Sequence, residues 1–378
     1  MSHKMRRMKV YIHEKENWTD FIWDSKQVML KLGEARNLQG KLLGKMESLG
    51  FELQDEAVLD TLTLDVLKSS EIEGEFLERE QVRSSIARRL GIDIAGAVES
   101  DRDVEGIVEM MLDATQRYDL PLTKDRLFGW HAALFPSGWS NLYKITVADW
   151  RKDTTGPMQV VSGPMGKEKV HYQAPNANKL ELEMNKFLKW FENDNDLDLV
   201  LKAAIAHLWF VTIHPFDDGN GRIARAITDM MLARSDKSVR RFYSMSAQIR
   251  VERKQYYKTL EKTQKGSSDI TAWLIWFLQC LINAIHATEA SLTKILYKAE
   301  FWKLHSTTIF NERQQKMLNK LLDDFVGKLT TSKWAKINKC SQDTALRDIQ
   351  DLINKDILEK ESSGGRSTSY KLIRISKR

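Results

Sequence analysis

The stretch HPFDDGNGRIAR, residues 214–225, gathers a histidine, two aspartates, two glycines around an asparagine and two arginines. No rule of helix packing or turn formation asks for that set, but phosphate chemistry does. Gly219 and Gly221 let the backbone come close to a ligand, and a helix starting near Asn220 points unpaired N–H groups at it. Arg222 and Arg225 are three apart on that helix and share a face, where two guanidinium forks suit the β- and γ-phosphates of a nucleotide. Asp218 is a hard oxygen ligand beside those phosphates, as Mg²⁺ is usually held. His214 can take a proton near neutral pH and so activate an incoming hydroxyl. Together these residues describe transfer of a phosphate-containing group from a nucleotide to an alcohol.

Apolar residues at three- and four-residue intervals predict helices over 56–73, 103–118, 123–135, 178–193, 198–213 and 268–292. The motif therefore sits between a helix ending near Ile213 and another running on from Asn220. MQVVSG (158–163) and KVHYQAP (169–175), joined by the turn cluster Gly163-Pro164-Met165-Gly166, read instead as a lone β-hairpin. Such a hairpin is marginal alone, so it leans on helices or has a task.

HPFDDGNGRIAR matches HxFx(D/E)GNGRxxR, the signature of the Fic-domain proteins, at every fixed position, and the chain resembles that family. Fic-domain proteins commonly transfer AMP from ATP to a Ser, Thr or Tyr hydroxyl of a target protein, releasing pyrophosphate. The resemblance implies His214 as general base and Asp218 as Mg²⁺ ligand. It implies Gly219, Asn220 and Gly221 as an anion hole, and Arg222 and Arg225 on the outer phosphates. Phe216 is expected as a core anchor, and Asp217, at a variable position, as solvated. The hairpin sits where the family has its flap, an edge onto which a target segment adds as a strand, with Val160 and Val161 as contacts. RKQYYKTLEKTQKG (253–266) resembles the adenine-side helix and suggests Tyr257 and Gln264 near the base.

KSSEIEGE carries a second signal. Ser69, Glu73 and Gly74 fit the family's inhibitory motif (S/T)xxxE(G/N), which ends a helix before the catalytic motif. Gly74 also serves as a helix C-cap. Leu62, Val66, Ser70 and Glu73 fall on one face, so the Glu73 carboxylate needs a partner, and the resemblance implies Arg225. That pair would occupy the guanidinium the γ-phosphate requires.

The remaining segments bound the organisation. A chain of 378 residues suggests two or three domains: 1–95 helical with the inhibitory motif, 96–296 catalytic, 297–378 a winged helix-turn-helix. The last rests on three helices (from NERQQKMLNKLLDDF, TTSKWAKIN and SQDTALRDIQDLINK) and two strands, ILEKE and YKLIRI, with Ser341 as an N-cap. From Lys328 on, 12 Lys+Arg against 6 Asp+Glu leave +6, the whole net charge of the chain. DNA is accordingly a partner candidate, through Arg347, Arg366 and Lys371, although Asp343, Asp348 and Asp351 on the same helix oppose it. Trp18, Phe21 and Trp23 are expected to pack on the core or a second subunit, and a homodimer is expected from the resemblance. Cys280 and Cys340 are too far apart in sequence to suggest a disulfide framework or a metal site. With no signal peptide and no apolar run of the length a membrane span needs, the expectation is a cytoplasmic protein.

The fold class expected is mainly α, a Fic-type helical core with a hairpin flap and a C-terminal winged helix. The activity expected is adenylyl transfer held off by Glu73. Removal of AMP, another nucleotide donor, and a DNA-binding regulator that only senses nucleotide remain open.

Overall fold

The computed structural model describes residues 11–94, 96–140, 142–154, 156–164, 167–193, 196–322, 325, 327–361 and 368–373. The chain divides into two compact units, the first ending at Thr288 and the second beginning at Glu289.

The first unit opens with α1 (Ser25–Glu47), α2 (Phe51–Glu73), α3 (Arg79–Leu90), α4 (Arg102–Gln116) and α5 (Lys124–Leu134). Two hairpins follow, β1 (Trp139–Ser140) with β2 (Tyr143–Lys144), then β3 (Gln159–Ser162) with β4 (Lys169–Gln173). The unit continues with α6 (Leu180–Glu192), α7 (Leu199–Ile213), α8 (Asn220–Asp236), α9 (Met245–Val251), α10 (Arg253–Gln264) and the start of α11 (Thr271–Leu304).

The helix α7 is the axis of this unit. Every residue from Val200 to Ile213 is buried, as expected of a helix that is apolar all round. Asp198 caps it, accepting from Val200 N–H at 2.8 Å and pairing with Arg36 of α1 at 2.9 Å. The turn at 214–219 sends the chain back along α7 as α8, and α2, α4 and α9 pack against that pair. Under the pair, Arg241 binds Asp229 and Asp236, each at 3.0 Å. Burial outweighs the pull of Arg241 and holds both carboxyls above their ordinary range, Asp229 at about 6.

The expected helices are present with most ends moved by a few residues, α11 running on past the expected end at 292 to Leu304, but α1, α3 and α9 carry little sequence signal. Gly33, Gly40 and Gly44 interrupt α1, each costing roughly 1 kcal/mol of helix propensity. Burial of Val28, Leu32, Ala35, Leu42 and Met46 outweighs that cost. The 158–175 hairpin is in place but not alone, since β1–β2 is a second, two-residue ladder that was too short to show periodicity. Tyr172 of β4 is buried and its hydroxyl donates to the Thr212 carbonyl at 2.7 Å, tying the hairpin to the end of α7. Trp18 packs edge-on against Trp209 and donates to Glu183 at 3.1 Å.

The helix α11 bears on the expectation about apolar runs. The helix α11 is long and apolar enough to cross a membrane by length and composition alone. Here Trp273, Leu274, Phe277, Leu278, Leu281 and Ile285 are buried, and Trp273 Nε1 donates to the Ala204 carbonyl at 2.8 Å. This is a core helix, and Cys280 is a buried thiol within it.

The second unit contains the end of α11, then α12 (Glu312–Leu322), α13 (Thr331–Asn338), α14 (Gln342–Asn354), β5 (Leu358–Lys360) and β6 (Tyr370–Leu372). Its core is Phe301, Met317, Leu318, Trp334, Ile349, Leu352, Ile357 and Tyr370. Ser341 caps α14, accepting from Thr344 N–H at 3.2 Å. The strands pair antiparallel, and Leu329 adds a bridge to Tyr370. Arg366, a candidate for DNA contact, lies outside the described residues, as do Met165 and Gly166 of the first hairpin turn.

Candidate active site

The end of α7 forces a turn on a residue that resists it. His214 caps the helix at φ 52°, ψ 60°, a left-handed conformation costing a non-glycine residue about 1–2 kcal/mol. The histidine Nδ1 faces the Val211 carbonyl at 3.3 Å. A proton on Nδ1 satisfies that contact and leaves Nε2 with its lone pair. Burial pushes the imidazole down to about 4; the Val211 contact, Asp218 and Glu73 act against the shift and Arg151 acts with it. His214 is therefore neutral at physiological pH.

Beyond the histidine, side chains tie the loop shut. Asn220 accepts from Phe216 N–H at 3.0 Å and donates to the Phe216 carbonyl at 2.9 Å. Its amide group thus builds the turn, and what it offers an anion is its backbone N–H. Phe216 is fully buried and stacks on His131 at 4.2 Å. Asp217 is not solvated as expected: it accepts from Thr146 N–H at 2.8 Å and anchors the chain after β2. Asp218 accepts from Gly219 N–H at 2.6 Å and from the Ser140 hydroxyl of β1.

Two glycines are required here by contact. Gly219 has φ 80°, and a β-carbon on it would lie 2.9 Å from the Phe135 ring. Gly221 would place one 2.2 Å from Glu73 Oε1, so this carboxylate rests directly on the first turn of α8. The first intrahelical bond of that helix comes from Ile223 N–H, and the amides before it face outward as an anion cradle. Gly219→Ala should lower stability by about 1–3 kcal/mol, read as a fall in Tm. An unchanged Tm would mean the turn tolerates the side chain.

Both arginines are already occupied. Arg225 donates to Ser69 Oγ at 2.8 Å, to the Ser69 carbonyl at 2.9 Å and to Glu73 Oε1 at 2.8 Å. Gly74, at φ 90°, ends α2 and turns the chain so that Glu75 Oε2 reaches Arg222 Nη1 at 2.6 Å. Both arginine side chains are only 2–3% exposed. Arg253 of α10 fixes this helix end by donating to the Ile72 carbonyl at 3.0 Å.

Several of these groups line a cavity of about 1020 Å³. Glu73, His214, Asp218 and residues 219–221 line one end, and Tyr257 and Gln264 of α10 line it too. Arg253 lies over the Tyr257 ring at 5.1 Å, and Gln264 donates to Thr212 Oγ1 at 3.3 Å. Val160 and Val161 form part of the wall, with a bulge between them and Val161 exposed. On the same wall His171 links Ser162, at 2.5 Å, to Glu261 of α10, at 2.8 Å.

Among the described residues no group of three His, Cys, Asp or Glu could cage a metal ion. A lone carboxylate facing a phosphate cradle suits Mg²⁺ nonetheless, since that ion keeps waters and takes most other ligands from the nucleotide. Asp218 meets that description.

Sequence reasoning missed Glu75, Ser140, Arg151 and the His171–Glu261 link. Only Glu75 left a trace, an acidic residue just past the cap glycine; Arg151 is brought in by a loop, and Ser140, His171 and Glu261 by β1, β4 and α10.

The Fic/DOC family matches residues 121–232, and a domain of unknown function (DUF4172) matches residues 11–92. The protein adenylyltransferase Fic of Drosophila grimshawi is 34% identical over 108 residues, 28% of this chain and 21% of that protein. The protein of the same name from Nematostella vectensis is 32% identical over 121 residues, 32% of this chain and 26% of that one. The matched segment thus spans about a fifth to a quarter of these relatives' length. A Fic family protein from Desulfovibrio desulfuricans superposes with TM-score 0.53 at 19% identity, over 94% of this chain and 99% of that one. A Fic domain containing signaling protein from Bacteroides thetaiotaomicron gives 0.51 at 17%, over 69% and 98%. At such identities the likeness establishes the fold, which is mainly α around a Fic-type core. The complete motif, its helix pair, the family match over residues 121–232 and the fold agree: this chain contains a Fic domain.

Proposed function

We propose that the chain transfers AMP from ATP to a Ser, Thr or Tyr hydroxyl of a target protein, and that the end of α2 holds this activity off. The observation that supports it is the meeting, in one cavity, of a neutral His214, an anion cradle at the start of α8 and the Glu73 carboxylate that holds Arg225. The acceptor hydroxyl gives its proton to His214 Nε2 as its oxygen bonds to the α-phosphorus. The bond from that phosphorus to pyrophosphate breaks, and pyrophosphate leaves. The amides at the start of α8 hold the phosphate oxygens, each such donor contributing about 10²–10³ in rate. Asp218 would hold Mg²⁺, which when bound neutralises phosphate charge. A target segment added to the edge of the β3–β4 hairpin would bring its hydroxyl to His214, with Val160 and Val161 as the docking contacts.

Inhibition follows from occupancy. A γ-phosphate needs Arg225, and it must displace Glu73 to reach it. Keeping about 99% of molecules off takes roughly 2.7 kcal/mol, half the swing from 1:99 to 99:1. The test is incubation with α-labelled ATP and Mg²⁺, following label on protein in wild type, Glu73→Gly, and Glu73→Gly with His214→Ala. Label that rises in the first variant and vanishes in the second supports both transfer and inhibition. No label in any chain that still binds ATP sinks the transfer reading. Glu73 beside the cradle could also align water for removing AMP, and a pre-labelled target would then lose label faster with wild type than with Glu73→Gly.

The second unit supports DNA as a further partner on one point. Asp348 is buried against Arg313 at 2.7 Å, and Asp351 holds Lys355 at 2.6 Å. Both belong to the internal bonding of this unit, which leaves Arg347 exposed on α14 with Asp343 as the opposing charge. Lys371 pairs with Glu359 at 3.1 Å, which lowers its claim. Binding to duplex DNA should then weaken steeply with salt, by roughly 0.9 log unit per log unit of salt for each phosphate contacted. No binding to any duplex at low salt removes this reading.

A further inference from the structure

Arg151 is the charged side chain that most needs an explanation. It lies in the loop before the β3–β4 hairpin, its side chain is 1% exposed, and neither the motif nor the cavity wall includes it. The guanidinium reaches three places at once. Nε donates to the His214 carbonyl at 2.7 Å, Nη2 donates to the Pro175 carbonyl just after β4, and Nη1 pairs with Asp153. The Arg151 N–H donates to the Pro215 carbonyl at 2.9 Å. Asp153 in turn accepts from Ala177 N–H at 2.7 Å, closing a ring of bonds around the foot of the hairpin.

We propose that Arg151 is a positioning residue for His214: one buried guanidinium fixes the left-handed turn that aims the imidazole and the exit of the hairpin that forms the opposite wall. A planar fork with donors in three directions is required, which a lysine cannot supply. Orientation matters because a base misplaced by about 1 Å can lose about 10²-fold in rate. The charge also counts. His214 is faced by Arg151, Asp218 and Glu73 and by the Val211 carbonyl, and of these Arg151 alone lowers its proton affinity, adding to burial. Losing the guanidinium should therefore raise the pH at which His214 protonates.

The kinetic part rests on the adenylyl-transfer reading; the spectroscopic part does not. With ¹³C-histidine-labelled full chain, the His214 resonance is assigned by its loss in His214→Gln and titrated in wild type and Arg151→Gln. The midpoint should rise in Arg151→Gln. In the Glu73→Gly background, Arg151→Gln should lower kcat about 10²-fold with KM for ATP changed less than threefold, since the nucleotide contacts are untouched. The acid limb of the rate should shift up with the midpoint. If Arg151→Gln does not fold, Asp153→Asn decides, because it keeps the guanidinium but removes its ionic anchor; kcat should fall several-fold at constant KM. An unmoved midpoint with unmoved kcat in Arg151→Gln, or unmoved kcat in Asp153→Asn, overturns the proposal. Absence of label in the Glu73→Gly parent overturns adenylyl transfer instead, and the titration still judges Arg151.

Discussion

His214→Ala in the Glu73→Gly chain should reduce adenylyl transfer by about 10²–10⁴, the usual contribution of a positioned base. Nucleotide binding should survive, because the cradle is backbone and the phosphate-facing charges come from α8. A sensor that never turned nucleotide over would show no such loss. The pH dependence follows from the same environment. Burial holds His214 at about 4, so its neutral, proton-accepting form persists well below pH 6.5. The rate should stay level from pH 8 to about 5.5 and fall only as pH drops toward 4, with unit slope. Half-loss near pH 6.5 would mean that His214 is as solvated as a free histidine, contrary to its position under the hairpin.

The outline of this site was legible because its chemistry is written in consecutive residues. A helix, a glycine-bounded turn and a second helix need only local rules, and the structure starts α8 at Asn220 where the motif asks for it. The Glu73–Arg225 pair was also within reach, since the helix face carrying Leu62 and Val66 carries Glu73 to its end. What escaped depends on tertiary encounters. Arg151 is one arginine among many until the hairpin folds back over α7. Asp217 looked solvated because its partner is a backbone N–H in a loop seventy-one residues away. Asp348 looked like a charge opposing DNA because Arg313, its partner, sits on a different helix. In each case the residue type gave the capacity to bond, and the fold chose the partner. The β1–β2 ladder failed for another reason: two residues per strand carry no alternation to detect.

Glu73→Gly should raise transfer by about 10²-fold, and Glu75 decides how complete that release is. Removing Glu73 frees one guanidinium, but Glu75 still holds Arg222 at 2.6 Å from the same turn. The two pairs differ in strength. Glu75 is the more exposed carboxylate, 40% against 30%, and burial raises its carboxyl even with Arg222 beside it. Arg222 is buried but its carboxylate partner is open to solvent, so the pair contributes about 1 kcal/mol. Glu75→Gln alone should therefore raise transfer no more than about fivefold. Combined with Glu73→Gly it should act mainly on KM for ATP, as both arginines become available to the outer phosphates. The substitutions share one helix end, so their effects should not add, and a double-mutant cycle should give a coupling of about 0.5 kcal/mol or more. Thermal shifts provide a check free of turnover. Glu73→Gly leaves Arg225 its two bonds to Ser69, so the chain should still fold. ATP should then raise Tm more in this variant than in wild type, because tighter binding to the native state stabilises by mass action. Equal shifts in wild type and both variants would show that the carboxylates do not compete with nucleotide, and inhibition would need another cause.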